Sequence, residues 1–341
     1  MTSRAEPFTR SNTGKRGVIS REVRRSLSIV VGFLAIVGGL APPAGTAGSP
    51  VPGGVVTIMF GRGSINLTDP KCVVLPGSVN LYTVANNLRA RGLVATLPMT
   101  VSQIGSGPNR VCGGGNLYAN WADLATLRVN YGWTVVPRGL TNADLTAVKD
   151  PVVLEANICG ALKPFRDHGH HRAWGMFAWP QNRFTVEYQQ RYVTPCYAFG
   201  RRYTGLYGTN PLPVPYPYWV RAVSVNGGKC ADVTLPCHTF AFREHYDYMQ
   251  PNALASTVAM AATNGSWTLL QFYSLVWGAY GRMGDWIAWD CRSPDPADHW
   301  SSYTEFYCWN DYQKVISSIP SSVRVADPAT VAELIGRDPP R

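Results

Sequence analysis

The chain has 341 residues, of which 45% are hydrophobic and 15% are charged, a composition that excludes a disordered protein and allows one large domain or two small ones. The formal net charge is +10, but residues 1–47 carry seven basic and two acidic side chains, which leaves a net charge of +5 on the rest. Because that remainder contains no run of like charge, we expect no binding to nucleic acid.

The first 47 residues have the order of a secretory signal peptide. Basic residues up to Arg25 precede the uncharged apolar stretch Leu27–Leu40, and small residues follow up to Ala47. That stretch has 14 residues, whereas a membrane-spanning helix needs about 20. We therefore predict a signal peptide at 1–47, one domain at 48–341 without a membrane span, and a protein that is secreted or held in the cell envelope. An uncleaved membrane anchor is the alternative.

All eight cysteines follow the predicted signal peptide. An even number of cysteines outside the cytosol predicts four disulfides. Spacing favours Cys230–Cys237 and Cys291–Cys308 as local loops, with Cys72–Cys112 next. Zinc binding is the alternative, but it is typical of closely spaced CxxC pairs, and the sequence has none.

Short apolar runs alternate with amphipathic stretches along the mature chain. The predicted strands are Val55–Phe60, Leu93–Met99, Trp133–Val136, Ala173–Trp179, Cys196–Phe199, Trp267–Val276 and Val323–Ala326. The predicted helices are Leu81–Arg91, Trp121–Val129, Pro151–Leu162, Phe184–Tyr192, Asn252–Thr263, Tyr312–Ile319 and Ala329–Ile335. This alternation predicts an α/β protein with a parallel sheet, and the length favours a closed β/α barrel.

In a parallel β/α barrel, ligands bind where the strands end. The residues that follow four of the predicted strands are arginines, amides and aromatics, and the main ones are Gly61, Arg62, Arg138, Asn142, Trp179, Gln181, Gln271 and Tyr273. This predicted edge contains no carboxylate, histidine or cysteine.

Five segments resemble, in order, the motifs of one enzyme family. VVTIMFGRG at Val55–Gly63 is similar to a motif that ends in Phe-Asp-Asp-Gly, and PRGLTNADLT at Pro137–Thr146 is similar to Ser-His-Thr-x-x-His. Gly175–Asn182, Phe199–Asn210 and Gly265–Leu275 are similar to the three later motifs. The family is that of the polysaccharide deacetylases, secreted metal-dependent carbohydrate esterases, and the resemblance implies a distorted (β/α)7 barrel.

The residues that carry the family's chemistry are replaced in this chain. The catalytic base and the metal-binding Asp of the first motif correspond to Gly61 and Arg62. The two metal-binding histidines correspond to Arg138 and Asn142, and the late general-acid histidine corresponds to Tyr273. Gly has no side chain and Arg has no lone pair for a metal. We therefore expect a pseudoenzyme with no metal and no cofactor.

The former active site is still expected to bind a ligand. Arginine side chains at positions 62 and 138 would project toward the place where the family holds its cation, and they suit an anionic group. We predict a polysaccharide or peptidoglycan-type glycan as the partner, contacted by Arg62, Arg138, Asn142, Trp179 and Tyr273. Three alternatives stay open: arginines paired with internal carboxylates or solvent, an active carbohydrate deacetylase or hydrolase with rebuilt residues, and a structural or interaction protein with a vestigial cleft.

Two polar clusters are weaker candidates for metal or acid–base chemistry. His168, His170 and His171 lie before a predicted strand, at the amino-terminal edge of the barrel, where we expect a solvated polar loop. The second cluster, His238–Asp247, has a spacing that is compatible with a helix face but is not specific.

Overall fold

Seven parallel strands and the helices around them form the part of the chain that the computed structural model describes, namely residues 52–61, 79–106, 118–203, 208–225, 249–280, 289–295, 300–301 and 306–339. The strands β1 to β7 are Val55–Phe60, Thr96–Met99, Thr134–Pro137, Met176–Ala178, Phe199–Tyr203, Val220–Ser224 and Trp267–Phe272. Their order in the sheet is β3-β2-β1-β7-β6-β5-β4, and every neighbouring pair is parallel.

The sheet curls into a nearly closed barrel. β3 and β4 stand at its two ends and contact each other, but their described residues form no strand pairing. A parallel barrel that is open between two strands is the distorted (β/α)7 fold predicted from the motifs, and that prediction is confirmed.

Eight α-helices lie in the described ranges. They are α1 Leu81–Arg89, α2 Trp121–Tyr131, α3 Pro151–Ile158, α4 Leu162–Asp167, α5 Val186–Tyr188, α6 Pro251–Asn264, α7 Trp309–Ser317 and α8 Pro328–Leu334. Their ends follow local sequence rules: α2 begins with a capping box between Asn120 and Asp123 and ends at Gly132, whose φ is +69°.

Six short strands complete the described structure. They are β8 Ser274–Val276, β9 Ala279–Tyr280, β10 Trp289–Asp290, β11 Trp300–Ser301, β12 Phe306–Cys308 and β13 Arg324–Val325. β8 pairs with β12, β9 to β11 form an antiparallel sheet, and β13 pairs with the start of β1.

The outer face of the barrel packs against the helices. Phe60 of β1 stacks on Trp133 at a ring-centroid distance of 5.5 Å, and Phe272 of β7 meets Tyr312 of α7 edge-on at 5.1 Å. Since side chains alternate between the two faces of a strand, the neighbours of these phenylalanines point into the barrel.

The interior face is joined across strands by Trp267 of β7. Its indole nitrogen donates to Thr57 Oγ1 of β1 at 3.0 Å, and its ring lies 4.8 Å from that of Phe199 on β5. Residues at even spacing from these three, such as Gly61 and Arg201, therefore belong to the interior face at the carboxyl end of the strands.

Several elements differ from the predictions. β4 starts at Met176 rather than Ala173, because Gly175 packs against α8: a Cβ on it would lie 2.4 Å from the backbone nitrogen of Ala329. The predicted strand Trp267–Val276 is broken at Tyr273. β6 was not predicted.

Two disulfides fall in the described ranges. Cys291–Cys308 confirms a predicted pair, and Cys159–Cys196 joins the end of α3 to the turn before β5, with Cα atoms 5.5 Å apart. These four cysteines are therefore unavailable as zinc ligands. The predicted pairs Cys72–Cys112 and Cys230–Cys237 lie outside the described residues. Across the described ranges, no helix combines the length and the apolar character that crossing a membrane requires.

Candidate functional site

The mouth, by which we mean the carboxyl end of the barrel strands, has Gly61 at the end of β1. Gly61 is buried, and its N–H donates to the carbonyl of Phe272 at 2.6 Å. A Cβ at this position would lie 2.6 Å from Cε1 of Tyr273 and 2.9 Å from Nε2 of Gln271. The Tyr273 ring therefore occupies the space into which any side chain at position 61 would extend.

The packing of Tyr273 on Gly61 bears on whether this site can hold the metal ion that the resemblance to polysaccharide deacetylases implies. Gly61 contributes no ligand atom, and the ring of Tyr273 covers it. Arg138, which the motif resemblance aligns with a histidine, has no lone pair for a cation. These residues do not fit a divalent metal ion. Arg62, which the motif resemblance aligns with a metal-binding Asp, lies outside the described residues.

Arg138 follows β3 directly and shares the interior face with Val136. Its side chain is half-buried, and its backbone N–H donates to the carbonyl of Met99 at 2.8 Å, which joins the ends of β2 and β3. Asn142 lies farther along the same loop and is exposed. The structure thus places a guanidinium in the mouth and an amide at its edge.

Asn157 of α3 holds the loop after β3. Its side-chain oxygen accepts from the N–H and the hydroxyl of Thr141 at 3.2 and 2.9 Å, and its carbonyl accepts from the Leu140 N–H at 3.1 Å. This loop also contacts the turn after β4, because Gln181 Nε2 donates to the carbonyl of Asn142 at 2.9 Å. The position of Asn142 is therefore fixed from two sides.

The turn after β4 contains two consecutive residues in the left-handed region, Gln181 with φ +52° and Asn182 with φ +57°. Such strained backbone is concentrated at functional sites. The turn directs Asn182 Oδ1 to Arg201, whose Nη2 donates to it at 3.0 Å. Arg201 is only 2% exposed, so the mouth holds a second, buried guanidinium.

Arg201 is the functional candidate that the sequence analysis missed. It lies two residues after Phe199 on β5, and strand alternation points it into the barrel. The predicted strand ended at Phe199, so Arg201 was not considered among the residues at the mouth. The resemblance of Phe199–Asn210 to an arginine-containing motif was the signal that could have identified it.

Gln271 lies on the interior face of β7, next to Gly61. Its side chain is 1% exposed, and no donor among the described residues reaches its Oε1. A buried carbonyl of this kind is normally satisfied by protein, water or ligand. It is therefore a polar group available to a ligand in the mouth.

Asp144 is a carboxylate in the loop after β3, and it is already engaged. It accepts from the hydroxyl of Thr146 at 2.6 Å and from Arg183 Nη1 at 2.5 Å. The hydrogen bond from Thr146 has the largest effect on the pKa of Asp144, and that from Arg183 the next largest. Both lower this pKa below its usual value. The charge of Arg183 is thus compensated.

Trp179 lies in the core and not at the mouth, which corrects its assignment as a ligand contact. Its side chain is fully buried and meets Phe177 edge-on at 5.2 Å. Alternation explains this, because Trp179 has the same orientation as Phe177, which packs outward against Tyr197. The cluster His238–Asp247 lies outside the described residues.

Comparison with known proteins gives no match to a family model and no match to a curated protein. Similar solved structures include a protein of Mycobacterium smegmatis named as a polysaccharide deacetylase, at 11% identity and a TM-score of 0.47, covering 85% of this chain and 94% of that one.

Two further similar structures are named as members of carbohydrate esterase family 4, one as an esterase and one as a pseudoenzyme. One is a family 4 carbohydrate esterase from Streptomyces lividans in complex with acetate, at 11% identity and a TM-score of 0.40, covering 81% of this chain and 95% of that one. The other is a family 4 pseudoenzyme from Bacillus anthracis, at 12% identity and a TM-score of 0.30, covering 65% and 56%.

Proposed function

We propose that this protein is exported, does not deacetylate sugars, and binds glycans with acidic groups in the mouth of its barrel. Export is supported by the order of basic, apolar and small residues in 1–47. The even set of cysteines, four of which form disulfides, agrees with an oxidising compartment.

The single observation that carries the proposed inactivity is the contact of Tyr273 with Gly61. Metal-dependent hydrolysis needs a bound water and a base beside it. Here the position of the base has no side chain, and an aromatic ring fills the adjacent space. Among the described residues that directly follow the seven strands, none is a carboxylate, a histidine or a cysteine.

Binding of an acidic glycan is supported by the groups that remain in the mouth. Arg138 and Arg201 present guanidinium groups on the interior face, and guanidinium pairs with carboxylate or phosphate in a fork geometry. Gln271 and Tyr273 add groups that can hydrogen-bond sugar hydroxyls. A polar mouth in which the described residues directly after the strands include no carboxylate and no histidine is suited to binding and not to turnover.

Two measurements on the purified, exported protein test the inactivity. Metal content is measured by mass spectrometry, and acetate release is measured on acetylated chitin oligomers and on peptidoglycan. We expect substoichiometric zinc and acetate release at the level of a blank. Stoichiometric metal, or release at an enzymatic rate that Tyr273→Ala changes, would establish an active deacetylase with rebuilt residues.

Calorimetric titration of acidic and neutral oligosaccharides of equal length tests the binding. We expect the acidic series to bind more tightly, and we expect Arg138→Gln, alone and with Arg62→Gln, to remove that preference. Arg324→Gln, at an exposed arginine on β13 at the opposite end of β1, is the matched control. If no glycan binds, the vestigial-cleft interpretation replaces this one.

A further inference from the structure

The opposite end of the barrel contains a second cleft, with a volume of about 360 Å³. It lies where β3 begins, between the end of α2, the loop before β4 and the residue that caps α8. The charged and titratable side chains that line it are Arg128, His170, His171, Arg172 and Asp327. Because parallel strands start at this end, the cleft is separate from the mouth.

His170 is the buried member of this lining. The prediction of a solvated loop is therefore wrong for this residue, which is 3% exposed and whose ring meets Phe165 edge-on at 6.3 Å. Its backbone N–H donates to the Phe165 carbonyl at 2.9 Å, so the main chain fixes the ring beneath the loop. His168 instead stacks on Trp121 at 3.8 Å.

Both ring nitrogens of His170 lack a hydrogen-bond partner among the described residues. The indole Nε1 of Trp133, which belongs to the same lining, is likewise buried and has no described partner. Buried polar groups are nearly always satisfied, and each exception needs an explanation such as an absent ligand. Two such groups in one cleft indicate a missing hydrogen-bonding ligand.

The positive charge of Arg128 indicates that this ligand is an anion. Arg128 lies in the last turn of α2, and its guanidinium packs along Gly169, where a Cβ would lie 3.1 Å from Nη2. Gly169, with φ +82°, both turns the chain and lets the guanidinium approach. No carboxylate of the described residues forms an ion pair with Arg128.

The other charges of the cleft compensate each other. Arg172 Nη1 pairs with Glu333 at 2.9 Å, and Arg172 Nε pairs with Asp327 at 3.3 Å. The carboxylate of Asp327 also caps α8 by accepting from the backbone of Ala329 and Thr330. The charge left without a counterpart in this cleft is therefore positive.

We propose that this cleft binds a small oxyanion, a phosphate or carboxylate group, held by the guanidinium of Arg128 and by a ring nitrogen of His170. Guanidinium and imidazole N–H groups are donors, and charge-assisted bonds of this type are strong. The exposed ring of His171, which also lines the cleft, adds a third N–H donor. The site is independent of the glycan-binding mouth.

The protonation state of His170 agrees with this role. Burial, and then the charges of Arg128, His168 and His171, lower its pKa to about 4. At neutral pH the ring is uncharged and carries one N–H. Asp327 is the carboxylate in the lining of this cleft, and both of its oxygens already accept hydrogen bonds.

The test titrates the full-length protein with inorganic phosphate and, separately, with acetate, at constant ionic strength set by chloride. Binding is followed by calorimetry and by the imidazole signals of His170 in NMR spectra. We expect saturable binding of at least one anion with a shift of the His170 signals, and an affinity about tenfold lower in Arg128→Gln. The anion that binds more tightly identifies the ligand class.

Arg166→Gln is the matched control, since Arg166 is an exposed arginine nearby on α4 that does not line the cleft. It should bind like the unmodified protein. The proposal is overturned if neither anion moves the His170 signals, or if Arg128→Gln and Arg166→Gln bind equally well. Because the glycan titration uses variants of the mouth, failure of one proposal leaves the other measurable.

Discussion

The two ends of this barrel differ in how their side chains are packed. At the mouth, Tyr273 packs directly onto Gly61, and the charged side chain of Asp144 has partners. At the amino-terminal end, the buried ring of His170 has no described partner and Arg128 has no described counter-ion. The ring of Tyr273 thus closes over Gly61 at the mouth, whereas a buried imidazole and an arginine at the other end have no described partner.

The difference shows that fold position alone does not locate function. Barrels place ligands at the carboxyl end because loops from many strands converge there. That rule directs attention to Arg138 and Arg201, and it gives no reason to consider His170. Burial combined with unsatisfied hydrogen-bonding capacity is a second, independent criterion, and it selects His170 at the opposite end in addition to Gln271 at the mouth.

Of the substitutions that test this contrast, we expect Gly61→Ala to have the largest effect on stability. The added methyl group would lie 2.6 Å from the Tyr273 ring, so the ring must move out of a packed site. We expect the free energy of unfolding to fall by about 3 kcal/mol, measured by urea denaturation. Gly208→Ala, where a Cβ meets no atom within 4 Å, should change it little. Equal effects of the two substitutions would contradict the close packing of the mouth.

The second largest expected effect is the loss of stability at low pH that His170, at the amino-terminal end of the barrel, causes. The folded pKa of His170, about 4, lies below its unfolded value of 6.5, so folding favours the neutral ring. Its contribution to stability is complete above pH 6.5 and is lost as the pH falls toward 4. The size of this pKa shift sets an upper bound of about 3 kcal/mol on the loss of unfolding free energy. Because water in the open cleft screens the ring, we expect a loss of about 2 kcal/mol.

The measurement compares the unfolding free energies of the unmodified protein and of His170→Leu between pH 7 and pH 4, in chloride buffer. Subtracting the variant removes the contribution of the carboxylates, which titrate in both proteins. A difference between the two proteins that stays constant over this range would show that the pKa of His170 is the same in the folded and unfolded states.

His170→Leu should also be more stable than the unmodified protein at neutral pH. Replacing a buried polar group that has no partner with an apolar group of similar size removes an uncompensated desolvation cost. We expect a gain of about 1 kcal/mol in the free energy of unfolding, measured without phosphate or acetate. A loss of similar size would mean that the ring nitrogens are satisfied in solution.

The sequence predicted the barrel because its signals are strong and local. Val55–Phe60 is a continuous apolar run, and Asn120 with Asp123 forms a capping box whose effect does not depend on distant residues. β6 was missed because its exposed Arg221 interrupts the apolar run of Val220–Ser224. Tertiary pairing with β5 and β7, which a local pattern cannot contain, makes that segment a strand.

The site was predicted less completely than the fold. Motif positions identified Gly61, Arg138 and Tyr273, and alternation along β4 would have excluded Trp179. The contact of Tyr273 with Gly61 could not be predicted, because it depends on how β7 lies beside β1. The burial of His170 likewise depends on the packing of its loop against α2 and α4.

The smallest expected effect is that of Asp144→Asn at the edge of the mouth. The lowered pKa of Asp144 means that its ionised form stabilises the fold above its usual titration range, and that this contribution is lost as the pH falls. Asn keeps an acceptor for Thr146 but loses the ion pair with Arg183, which is solvent-exposed and therefore weak. We expect Tm to fall by no more than about 2 °C, and less at high salt. A larger fall that salt does not reduce would mean that Asp144 and Arg183 hold the loop that carries Asn142, and the mouth would then depend on charge as much as the opposite end does.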